Sequence, residues 1–144
     1  MSGIQLPQAQ QERCKAIYQR LSQLSTQFSE HVLDATHGWK KHITDETLLA
    51  GLPHSVKALV QQNAQQDNLP GWLLTLDFPC YQPVLNYADN RELRQEMYEA
   101  FVTRASDQGV NAGKWDNSQI IQEILSLRQE LATLLGLTIM LNFR

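Results

Sequence analysis

Apolar residues recur at intervals of three and four at both ends of this chain, and that spacing restricts the possible fold more than any other feature. Near the start, Cys14, Ile17, Leu21, Leu24, Phe28, Val32 and Ala35 share one face of a helix expected from about Pro7 to His37, with Pro7 suited to a first turn and Gly38 to a stop. Towards the end, Ile120, Ile121, Ile124, Leu127, Leu131, Leu134 and Leu135 make a wide second stripe, opened by Asn117 or Ser118 and stopped by Gly136. Each face needs a partner. A coiled-coil seam would serve, but no charge pattern flanks the first stripe, and packing inside a larger α-fold is the more general solution. The chain is therefore predicted to be mainly α, a helical array. Its 144 residues, 42% of them apolar on a broad count, suffice for one core at most.

Between the stripes lie two short runs rich in aromatic or branched residues, Trp39–Thr44 and Trp72–Leu76, which the pattern pairs as a small two-stranded β element lying against helices. Leu52-Pro53-His54-Ser55 reads as the entry to a helix whose apolar face is Val56, Leu59, Val60 and Ala64, and Asn68-Leu69-Pro70-Gly71 is a turn signal that ends it. The segment Pro79–Tyr87 reads as a short helix, in which Pro83 would fit a first turn only if the helix began near Gln82. Asn90 caps a further helix with Leu93, Met97 and Phe101 on one face and the pair Arg94 and Tyr98 beside it, ending near Ala105. Glycines, asparagines and aspartates crowd Ser106–Asn117, so that stretch is a loop, and the helices on either side of it are expected to form an antiparallel pair.

Chemistry is hard to find in these residues. A net charge of −3 supplies no basic footprint for nucleic acid, and no stretch approaches the ~20 apolar residues that span a bilayer. Cys14 and Cys80 are far apart, no secretory leader precedes them, and they read as reduced thiols in the cytoplasm. His31, His37, His42 and His54 are not at ligand spacing: six residues turn His31 and His37 about 240° apart on a helix, unlike the i, i+4 pair that faces one zinc. There is no Gly-x-Ser-x-Gly elbow, and Gly109 with Gly113 lacks the strand before and the Lys-Ser/Thr after that a phosphate loop requires. Carboxylates close in sequence, Asp45 with Glu46 and Glu92 with Glu96, are favoured by helix N-termini without any catalytic purpose.

One long irregular run carries more information. Arg104-Ala105-Ser106-Asp107-Gln108-Gly109, continued as Asn111-Ala112-Gly113-Lys114-Trp115-Asp116-Asn117-Ser118, resembles the thimet oligopeptidase and neurolysin family of zinc metallopeptidases, and so do Leu73–Asp77, Asp89–Arg94, Glu96–Tyr98 and Glu123–Ala132. The similarity runs from about Ser2 to Gly136 and is weakest before Phe28. Val110 departs from it, since proline is usual there. This resemblance implies a mostly helical, prolate body divided by a deep channel, short peptides as substrates in the cytoplasm, and a zinc held by a His-Glu-x-x-His helix and a later glutamate. No His-Glu-x-x-His occurs here. No catalytic, cofactor-binding or metal residue of the family can be carried onto any position, and no zinc is expected on this chain.

Both ends fit a piece from the N-terminal side of such an enzyme. Ser2–Pro7 is similar to an interior stretch of the family, and after Gly136 the similarity stops, leaving Leu137–Arg144 as a tail unlike it. The expected organisation is one helical segment, 1–136, followed by that tail. Codons TTA-ACA-ATT-ATG-CTG-AAT-TTT-CGT would encode the tail, and one T added to the first yields Phe-Asn-Asn-Tyr-Ala-Glu-Phe-Ser, which restores the family pattern. A frameshift is the hypothesis, and resequencing that finds no family-like frame downstream would sink it. Two functional readings remain open: an architectural piece of a metallo-oligopeptidase, inactive alone, or a stand-alone helical module that self-associates or binds a partner through its stripes.

Overall fold

The computed structural model describes residues 7–142, with side chains through residue 136. The elements are α1 (Gln8–His37), β1 (Lys40–Ile43), α2 (His54–Gln66), β2 (Trp72–Thr75), α3 (Phe78–Tyr87), α4 (Arg91–Val102) and α5 (Ser118–Asn142), with a 3₁₀ turn at Glu46–Leu49. The mainly helical class with a small antiparallel sheet is what the apolar spacing predicts. Contacts divide the chain into two compact units, one made of Met1–Glu30 with Asn117–Arg144 and the other of His31–Asp116.

In the His31–Asp116 unit, β1 and β2 pair with Lys40 opposite Thr75 and Ile43 opposite Trp72. Two isolated strands are marginal in water, and here α2 and α3 lie against β2. Leu49, Val60, Leu74, Leu76, Val84 and Met97 are almost wholly excluded from solvent in one continuous core. The α2 helix ends as its turn signal predicts. Asn68 takes φ 58°, Leu69 N–H donates to Ala64 O (2.8 Å) and Asn68 N–H to Gln65 O (3.0 Å), the Schellman arrangement that satisfies last-turn carbonyls. Asn90 caps α4 by accepting from Leu93 N–H at 3.0 Å. That helix stops at Val102, short of Ala105, whose φ of 52° is left-handed.

The α3 helix corrects one expectation. It starts at Phe78, so Pro79 occupies the first turn while Pro83 lies inside the helix. Asp77 supplies the start instead, its carbonyl accepting from Cys80 N–H (3.0 Å) and Tyr81 N–H (2.8 Å). Pro83 withholds one donor from this short helix, and burial of Cys80, Tyr81 and Val84 offsets that loss.

In the other unit, α1 packs on α5. Ile17 and Leu24 meet Ile120 and Leu127, with Leu21, Ile124, Leu131 and Leu134 partly buried around them. Arg13 makes a two-toothed ion pair with Glu130 (2.5 and 2.7 Å), and seven residues on, Arg20 does the same with Glu123 (2.5 and 2.9 Å), seven residues back. Opposite progression at equal spacing means antiparallel helices. Asn117, buried just ahead of α5, donates from Nδ2 to Phe28 O at 3.2 Å. The partner of α5 within its unit is therefore α1.

A second correction concerns Gly136, which does not stop α5: the helix continues to Asn142. Glycine terminates a helix by turning left-handed, and Gly136 has no positive φ, so it weakens the helix by about 1 kcal/mol against alanine without ending it. Of the tail 137–144, the backbone through Asn142 is thus helical, and residues 143–144 lie outside the described residues, as does Ser2–Leu6 of the family-like start.

Candidate functional site

The irregular run from Arg104 to Asn117 folds as successive tight turns held by its own polar groups. Ser106 Oγ donates to Thr103 O (2.6 Å) and accepts from Gln108 N–H (3.1 Å), while Gly113 N–H donates to Ser106 O (3.1 Å). Gly109 and Gly113 take φ 87° and 81°, as turns of this kind demand. Trp115 adopts φ 54°, uncommon for a bulky residue, and its indole covers Gly38, where any Cβ would collide with the ring. The glycine ending α1 therefore makes room for an aromatic ring as well as a stop.

At the base of this loop Arg104 is held three ways. Its Nη1 donates to Thr36 Oγ1 (2.7 Å), its Nε donates to Phe101 O (2.9 Å), and its guanidinium carbon stands 3.6 Å from the Phe101 ring centroid. Phe101 stacks in turn on Tyr81, with centroids 4.0 Å apart. Burial lowers the Arg104 pKa, and burial, helped by Tyr98, raises that of Tyr81. These groups order the loop and offer neither a nucleophile nor a base.

The other singled-out residues do not converge. Among the described residues no three His, Cys, Asp or Glu side chains are grouped so as to hold a metal ion. His37 and His54 are exposed, His31 is half-buried, and His42 Nε2 lies 2.5 Å from Pro70 O. Cys14 and Cys80 are free and buried. Burial raises the Cys80 thiol pKa, and its sulfur accepts from Thr75 N–H at 3.3 Å, so it is no thiolate nucleophile at neutral pH. The neighbouring carboxylates are engaged structurally: Asp45 Oδ1 accepts from Thr47 N–H (3.0 Å), Glu46 faces Lys57 (3.9 Å) and Glu96 pairs with Lys41 (3.0 Å).

Known proteins supply what the side chains do not. The sequence is 57% identical over 136 residues to oligopeptidase A of Escherichia coli K12, covering 94% of this chain, and the pattern describing Peptidase family M3 matches residues 84–144. Nearly the whole chain is therefore similar to oligopeptidase A, and its later part matches peptidase family M3. A probable cytosolic oligopeptidase A of Arabidopsis thaliana is 45% identical over 144 residues, and the dipeptidyl carboxypeptidase of E. coli K12 is 30% identical over 137. The chain spans about a fifth of the length of each of these relatives. Among the described residues no helix is long and apolar enough to cross a membrane.

Proposed function

We propose that this chain is an architectural segment of an M3 oligopeptidase, carrying no zinc and hydrolysing no peptide alone, while cleavage of short peptides in the cytoplasm belongs to a longer M3 polypeptide. The observation that carries the reading is high identity along nearly the whole chain to only a fifth of oligopeptidase A, in a sequence without His-Glu-x-x-His. Peptide hydrolysis by a zinc peptidase needs a metal to polarise the carbonyl and a carboxylate to activate water, and the grouped ligands for that metal are not found among the described residues. The segment 1–136 would then supply helices and the small hairpin to the body of such an enzyme. The test is to incubate the purified chain with zinc and a quenched short peptide, with a chelator control, and to measure bound zinc by mass spectrometry. Neither bound zinc nor cleavage is expected, and one zinc per chain with chelator-sensitive cleavage would overturn the reading.

A second reading is a helical module that self-associates. Its support is the groove of about 400 Å³ between α1 and α5, where Phe28, Ile121 and Leu125 remain 36%, 44% and 60% exposed beside Arg128. Light scattering over a hundredfold range of concentration decides between the two: a monomer throughout removes the second reading.

A further inference from the structure

We propose that the groove between α3 and α4 binds the C-terminal carboxylate of a short peptide. This groove, of about 470 Å³, is lined by Leu85, Arg91, Arg94, Gln95 and Tyr98. The ion pairs of its unit join Lys40 to Asp67, Lys41 to Glu96 and Lys57 to Glu46, and among the described residues neither Arg91 nor Arg94 takes part in one. Gln95 Nε2, in the same lining, donates to Glu99 at 3.0 Å. Two guanidinium groups thus share one groove, and among the described residues neither is in an ion pair.

A separate observation concerns Arg94 itself: its Nε is buried without a hydrogen-bond partner. A buried donor left unpaired is unfavourable, so the position lacks an acceptor. A carboxylate gripped edge-on by Nε and one Nη would supply it, after a small side-chain movement that uncovers Nε. Phosphate could take the same fork. Leu85 and Tyr98 favour the peptide, because they set an apolar wall beside the guanidinium groups, as required by a ligand whose side chain adjoins its carboxylate. Binding concerns this chain alone, so its outcome is independent of whether a longer M3 polypeptide hydrolyses peptides.

The experiment is a titration of the ¹⁵N-labelled chain with N-acetyl-Ala-Ala-Leu as free acid and as C-terminal amide, following the backbone signals of Leu85, Arg94, Gln95 and Tyr98. The acid is expected to shift these signals saturably and to bind about tenfold more tightly than the amide. Arg94→Gln should abolish that preference and Arg91→Gln should weaken it. If circular dichroism shows Arg94→Gln misfolded, Arg91→Gln and Arg94→Lys carry the test, the lysine keeping charge but losing the fork. Equal binding of acid and amide, acetate or inorganic phosphate binding as tightly as the peptide, folded variants that keep the preference, or no shift by about 10 mM peptide would each overturn the proposal.

Discussion

At Gly71 the backbone takes φ 79°, and a Cβ placed there would fall on the Ile43 carbonyl oxygen, next to the Ile43–Trp72 pair at the end of the sheet. Gly71→Ala therefore combines a disfavoured backbone region with a collision that only strand movement can relieve, and it should lower stability by on the order of 2 kcal/mol or more. Urea unfolding checks this; a midpoint unchanged from the parent would show that the turn can reopen without cost. This position was readable in the sequence because Asn68-Leu69-Pro70-Gly71 uses the residue types that left-handed turns prefer. Ala105 and Trp115 were not readable in the same way. Each adopts positive φ without any side-chain preference for it, imposed by the surrounding turn hydrogen bonds and the space over Gly38.

Helices show the same division between local and distant causes. The limits of α1, α2 and α4 follow from caps and apolar spacing, which act within a few residues. Which helix meets α5 does not follow from local signals, although Arg13 and Arg20 share the seven-residue spacing of Glu123 and Glu130, a charge match that the apolar stripes alone conceal. Those pairs give the hairpin an acid dependence. Hydrogen bonding to arginine holds Glu123 and Glu130 below the ordinary carboxylate pKa. A folded-state pKa that is depressed contributes stability above the unfolded value, near 4.3, and loses it as pH falls through the folded value. The double variant Glu123→Gln, Glu130→Gln should accordingly melt below the parent at pH 7, and the gap should close under acid conditions. Both carboxylates are exposed, so the gap is expected to be small and to shrink with salt. Thermal melts at several pH values decide it, and a gap that persists undiminished at pH 2 would mean the stabilisation is not ionic.

Over the whole molecule, the two units differ in how much they bury. Among the described residues, fourteen buried ones in the His31–Asp116 unit form one cluster drawn from both strands, the 3₁₀ turn and several helices, whereas four form that of the α1–α5 hairpin. Opening free energy scales with apolar surface removed from water, so the hairpin should open at lower cost than the rest. The α1 helix makes this measurable within one element, because the division falls after Glu30. Hydrogen exchange should show weak protection over residues 14–28, stronger protection over residues 31–37, and the strongest around Leu74 and Met97. Uniform protection along α1 would mean that the helix opens as a single cooperative body and that the division after Glu30 has no energetic counterpart. A low-stability hairpin also bears on the architectural reading. With Phe28, Ile121 and Leu125 still exposed, a neighbouring part of a longer M3 polypeptide could bury further apolar surface there. Adding such a polypeptide lacking this segment should then raise protection over residues 14–28 before it raises that at Leu74, and protection that rises equally at both would place the contact elsewhere.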